Sequence, residues 1–177
     1  EFRRVLFRSR LETSDRGYYL KKDGEGQKRV NPTQYIDGWG TIGGETSNNA
    51  AEIVAATEGL RHLSMIGKIP KEVTIRTDSE YVIKQHTLIP TWQSNGWKKR
   101  DGSEVKNIPY WTGLDEQLVK FKEAGTVVRF EWVKGHSGDT GNTFADHVAG
   151  VGRDLSAKGV AKRVFVDTTV PGVYWKK

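Results

Sequence analysis

Two helix-like segments, each followed after a short break by a strand-like one, constrain this chain more than any other feature. Thr46-Ser47-Asn48-Asn49 supplies N-cap chemistry, and beyond it Ile53, Ala56, Leu60 and Leu63 recur at spacings of three and four. That spacing predicts a long helix with one apolar face. Lys71 to Thr77 then alternates around Val73 and Ile75, as a strand does. The pattern repeats when Trp111, Leu114, Leu118 and Phe121 mark a helix over 110–124 and Val127 to Val133 reads as a strand. A loop over 135–141 and a last helix from Asn142 to Arg153 complete the series. Strands alternating with helices around one core predict an α/β domain, and 177 residues suffice to bury such a core.

Less regular segments flank this body. Gly17-Tyr18-Tyr19-Leu20 is strand-like and is followed by a turn at Lys22-Asp23-Gly24-Glu25-Gly26; residues 34–42 read as a strand interrupted by Gly38 and Gly40. Residues 90–107 are polar, basic and aromatic without periodicity. Residues 1–10, EFRRVLFRSR, resemble translated linker sequence and are expected to be non-native, with a basic arm as the alternative. The expected organisation is therefore that segment, a domain over 11–153, and a tail over 154–177 containing the turn pair Pro171-Gly172.

Charge and composition narrow the partners. The formal net charge is +6, which favours polyanions. Residues 1–30 hold nine Lys and Arg against five Asp and Glu, so four of those six charges sit where the sequence is least typical. With no cysteine, disulfides and thiolate metal sites are excluded, which suits a cytoplasmic location. Neither a bilayer-spanning apolar run nor a secretory signal is expected, and a single compact domain makes a monomer the default.

Three carboxylates occupy informative places. Glu52 lies early in the long helix, Asp78 at the C-terminal end of a predicted strand, and Asp146 in the last helix. Carboxylates gathered from such elements suit hard cations with oxygen ligands, and two such ions about 4 Å apart serve phosphodiester hydrolysis. Each has a plainer reading: Glu52 as a charge at a helix N-terminus, Asp78 as an N-cap, Asp146 as a solvated face. His136, on the glycine-flanked loop Lys134-Gly135-His136-Ser137-Gly138, could move a proton or be only a surface residue. The run Trp92-Gln93-Ser94-Asn95-Gly96-Trp97-Lys98-Lys99-Arg100 reads equally well as a phosphate-gripping surface and as a solvated loop anchored by its tryptophans.

Taken together the segments resemble one family, the type 1 ribonucleases H. Thr46 to Glu52 is similar to their "TTNNRME" helix start, and Thr77-Asp78-Ser79-Glu80-Tyr81-Val82 to "TDSQYV". Gly96 to Lys99, through Val105-Lys106-Asn107 and Trp111, is similar to the basic protrusion and the helix after it. Glu131 to Gly138 resembles "EWVKGHAG", and Asn142 with Ala145-Asp146 the motif that follows. The segments run in family order across 17–153. The resemblance implies a mixed five-stranded sheet flanked by helices and hydrolysis of the RNA strand of RNA–DNA hybrids by a two-metal mechanism. It also implies two Mg²⁺ or Mn²⁺ ions on Glu52, Asp78 and Asp146, with His136 as a mobile histidine. Asn48 and Asn49 would face the hybrid's minor groove, where 2′-hydroxyls mark RNA. Trp92, Trp97, Lys98, Lys99, Arg100 and Lys106 would grip the DNA strand, and Glu80 stands where the family often has Gln.

One family feature is missing, the first-strand aspartate of a "TDGS" motif. Tyr35-Ile36-Asp37-Gly38 is similar locally but lies too close to Glu52 for the strands that should intervene, and Asp15 stands just before Gly17. Arg3 to Ser9 has the better position, and we expect it to fill the first-strand slot with Ser9 near the missing aspartate's place. Loss of that ligand should weaken metal binding and turnover. The competing readings are a non-catalytic hybrid-binding module and a DNA-acting integrase or transposase core.

Overall fold

The computed structural model describes residues 5–14, 19–23, 26–30, 33–42, 47–65, 69–135 and 164–167, and those outside 47–135 by their backbone strands. The α/β class expected from the alternating segments holds. Strands β1 (Val5–Ser14) and β4 (Thr33–Ile42) pair antiparallel over their whole length, from Val5 opposite Ile42 to Ser14 opposite Thr33. Strand β7 (Val164–Asp167) adds antiparallel to the other edge of β4. Strands β2 (Tyr19–Asp23) and β3 (Gly26–Val30) form a separate antiparallel pair. Strands β5 (Glu72–Thr77) and β6 (Val127–Trp132) run parallel, Glu72 opposite Val127 and Thr77 opposite Trp132. Strand directions are therefore mixed, and among the described residues these four ladders make three separate sheets.

Several expectations for the flanking segments need correction. Gly38 and Gly40 do not interrupt β4: they pair with Ser9 and Phe7, since glycine keeps both backbone groups that a ladder uses. The first strand-like run continues as β2 through Lys22 and Asp23, which the turn signal had claimed, while Gly17 and Tyr18 lie outside the described residues. Residues 154–177 contribute β7, and residues 90–107 open in a helix rather than a loop.

The helices follow from local chemistry. Helix α1 (Asn48–Met65) begins where the Ser47 hydroxyl accepts the Ala50 N–H at 3.3 Å. Ile53, Leu60 and Leu63 are buried and Ala56 partly so, which is the predicted face; Ala50, Ala51, Ala55 and Gly59 are buried as well, because α1 lies alongside both β1 and a second long helix. That helix, α4 (Ile108–Glu123), packs so closely on α1 that a Cβ at Gly113 would touch the Thr57 methyl at 3.9 Å. Between β5 and α4 lie two short helices, α2 (Glu80–Gln85) and α3 (Ile89–Ser94), joined by one tighter turn over His86–Leu88. Pro90 sits in the first turn of α3, where its missing N–H costs nothing.

The core gathers Ile53, Leu60, Val82, Ile89, Trp92, Trp111, Leu114 and Phe121, with the inner faces of β5 and β6 (Val73, Ile75, Val128, Phe130) closing it. The outer face of the parallel pair carries charge, with Arg129 on Glu72 at 2.7 Å and Arg76 on Glu131 at 3.5 Å. No described helix is long and apolar enough to cross a membrane.

Candidate functional site

The two parallel strands end side by side, and the end of β5 places the first candidate. Asp78 follows Thr77 directly and is half-buried. Its backbone is held from the side of the far strand: Val133 N–H donates to the Thr77 carbonyl at 2.9 Å, and the Trp132 indole N–H to the Asp78 carbonyl at 3.3 Å. The chain after β6 then passes against the carboxylate itself. A Cβ built on Gly135 would lie 2.9 Å from Asp78 Oδ2, so only glycine leaves that oxygen its place.

The plainer reading of Asp78 as an N-cap does not hold. Ser79 takes that role, its hydroxyl accepting the Val82 N–H at 3.3 Å, and the Thr77 hydroxyl accepts the Ser79 N–H at 3.1 Å. Asp78 therefore stands one residue before the cap, at the end of β5. Glu52 is half-buried one turn into α1, and the first turn of that helix holds no acidic residue. A macrodipole interaction fades beyond the first turn, which leaves the terminal-charge reading of Glu52 little to act on. His136 and Asp146 lie outside the described residues, and so does Asp15. Asp37 lies in β4, opposite Arg10 and Val166, in the strand that directly precedes α1. Ser9 lies in β1, opposite Gly38.

As a metal site the described part is incomplete, since no three His, Asp or Glu side chains converge among the described residues. What is described fits a hard cation in kind: two half-buried carboxylates, one of them lying in a notch that a single methyl group would fill. The Trp132 contact and the Gly135 notch escape sequence reasoning, because both depend on which strand β5 pairs with.

The second part of the site is the basic loop between α3 and α4. Trp92 is 5% exposed and packs on Trp97 and Trp111, at ring-centroid distances of 6.3 Å and 5.8 Å. Its role as a groove contact gives way to the anchoring role, because its ring is used inside the core. Trp97 is half-buried, whereas Lys98, Lys99, Arg100 and Lys106 are exposed, as are Asn48 and Asn49 at the start of α1. Lys98 faces Glu104 at 3.9 Å across the short pairing that closes the loop.

The loop is held by its own hydrogen bonds. Trp97 N–H donates to the Trp92 carbonyl at 2.6 Å and Val105 N–H to the Trp97 carbonyl at 2.9 Å. A tight turn over Lys99–Gly102 is closed by Gly102 N–H on the Lys99 carbonyl at 3.0 Å, and Asp101 accepts from both the N–H and the hydroxyl of Ser103. Gly96 and Trp97 both have left-handed backbones, φ 71° and 62°. For a bulky residue this costs on the order of 1–3 kcal/mol and persists only where its surroundings enforce it.

The chain is similar over most of its length to known proteins. The RNase H family model matches residues 17–154. Ribonuclease H of Bordetella pertussis is 38% identical over 160 residues, covering 82% of this chain and 96% of the relative. Among solved structures, LC9-RNase H1, described as a type 1 RNase H with the type 2 active-site motif, is similar at TM-score 0.60 and 21% identity, over 92% of this chain and 76% of that one. A foamy viral protease–reverse transcriptase solved in complex with RNA/DNA hybrid is similar at TM-score 0.52 and 18% identity, over 86% of this chain and 20% of that one. These two support the fold alone. With most of its length inside the family model and a close relative matched nearly end to end, the chain belongs to the RNase H family of nucleases.

Proposed function

We propose that this chain hydrolyses the RNA strand of RNA–DNA hybrids, with divalent metal ions held by Glu52, Asp78 and Asp146. The observation that carries the reading is the setting of Asp78: a half-buried carboxylate at the end of β5, one residue before the Ser79 cap and seated against Gly135. Two Mg²⁺ or Mn²⁺ ions supply charge neutralisation at the scissile phosphate and activation of a water. The chain's own residues do the rest. Lys99, Arg100 and Lys106 bind backbone phosphates, Asn48 and Asn49 face the minor groove, and His136 receives or delivers a proton.

No aspartate falls within β1, Val5–Ser14, so the ion set lacks the charge that the family's first strand supplies. Metal affinity and turnover are therefore lower than in relatives carrying it, and the same gap favours, as a second reading, a module that binds the hybrid without cutting it. Both are tested by cleavage of a labelled hybrid in Mg²⁺ and Mn²⁺, with single-stranded RNA and duplex DNA as controls. RNA cleavage confined to the hybrid, abolished by Asp78→Asn and increased by Ser9→Asp, is the expected result. Hybrid binding with no cleavage in either the parent or the Ser9→Asp protein would establish the binding module instead.

A further inference from the structure

The strongest unexplained geometry outside the carboxylate site lies at Asn95. Its amide closes a ring on one backbone unit two bonds wide: Nδ2 donates to the Lys98 carbonyl at 2.9 Å and Oδ1 accepts the Lys98 N–H at 3.0 Å. Between the two ends of that ring, Gly96 and Trp97 are held at positive φ. Beside the backbone bonds that hold Trp97 and Lys99, the Asn95 side chain is thus the polar clasp that fixes Lys98 as the chain leaves Trp97 toward the Lys99–Gly102 turn. Asn95 is exposed, and it ends α3 through its backbone N–H rather than its side chain. Its bonds are spent on aiming the three consecutive cations Lys98, Lys99 and Arg100.

We propose that Asn95 is a positioning residue that preorganises this basic turn for the phosphate backbone of the hybrid. The inference rests on the reading of the loop as a nucleic-acid contact and adds how its affinity arises. Cations on a slack loop pay the cost of ordering at the moment of binding, whereas a turn clasped in advance has already paid it. Removing the clasp therefore weakens binding without removing a charge, and the two effects separate experimentally. Loss of a phosphate-contacting cation lowers the slope of log Kd against log salt by about one, because one counterion fewer is released. Loss of preorganisation leaves that slope where it was.

The test is binding of a fluorescently labelled RNA–DNA hybrid by the full chain in EDTA over a salt series, which removes cleavage from the readout. Asn95→Ala is expected to raise Kd about fivefold at every salt concentration with an unchanged slope. Lys99→Ala and Arg100→Ala are expected to flatten the slope. Near-ultraviolet circular dichroism, which reports the packed Trp92, Trp97 and Trp111, should match the parent in Asn95→Ala. An Asn95→Ala protein that binds like the parent, or that weakens by flattening the slope, overturns the positioning role while the loop's contact with the hybrid stands. A parent chain with no affinity for the hybrid overturns the proposed function, and this inference falls with it.

Discussion

Gly135 shows how one missing atom can carry a site. Since a Cβ there would come within 2.9 Å of Asp78 Oδ2, Gly135→Ala must push the carboxylate aside. The displaced group is the end of a short side chain, so the fold gives way cheaply while the oxygen loses its position. We expect a melting temperature close to the parent's and a fall in cleavage of roughly ten- to a hundredfold, the range seen when the supports of metal ligands are disturbed. Cleavage at the parent rate would mean that the carboxylate keeps its working position without the notch. Trp132 is the companion residue. It is half exposed at a strand end, and its indole N–H is used on the Asp78 carbonyl, which accounts for so large an apolar ring lying at the surface.

The basic loop behaves as an element in its own right, closed at its base by Lys98 opposite Glu104 and at its tip by Asp101. The hydrogen bond from the Ser103 hydroxyl, then that from its N–H, holds the Asp101 carboxyl below the usual carboxylate range. A lowered folded value means that the turn is favoured at pH above the ordinary carboxylate value and loses that support as pH falls through the lowered one. The Ser103 amide resonance should therefore titrate with a midpoint below that of an unperturbed aspartate. A midpoint at or above the ordinary value would show that Asp101 does not brace the turn. The same logic applies on α2, where Glu80 is lowered by its hydrogen bond to Lys84 one turn on. That pairing gives the residue standing in place of the family's frequent Gln a local partner on its own helix.

For the molecule as a whole, stability rests on the layer between α1, α4 and the parallel pair. Trp111 is fully buried there, in contact with Tyr81 and Trp92, and its indole N–H has no hydrogen-bond partner among the described residues. Trp111→Ala should cost about 3–5 kcal/mol in urea unfolding, whereas Trp111→Phe should cost much less, since it keeps most of the ring and removes a buried donor. Similar losses for the two would place the stabilisation elsewhere. What the sequence by itself determined is the part governed by short-range periodicity and local capping: α1, β5, α4 and β6, the Ser47 cap, and Asp78 at a strand end. Glycines in β4 and the six-residue helix α3 misled that reading, because pairing and burial overrode weak local signals. Only the tertiary structure decided that Trp92 is spent in the core and that Gly135 lies on Asp78. Each of these is a contact across a ladder or a loop closure, and local spacing carries no information about which segments meet.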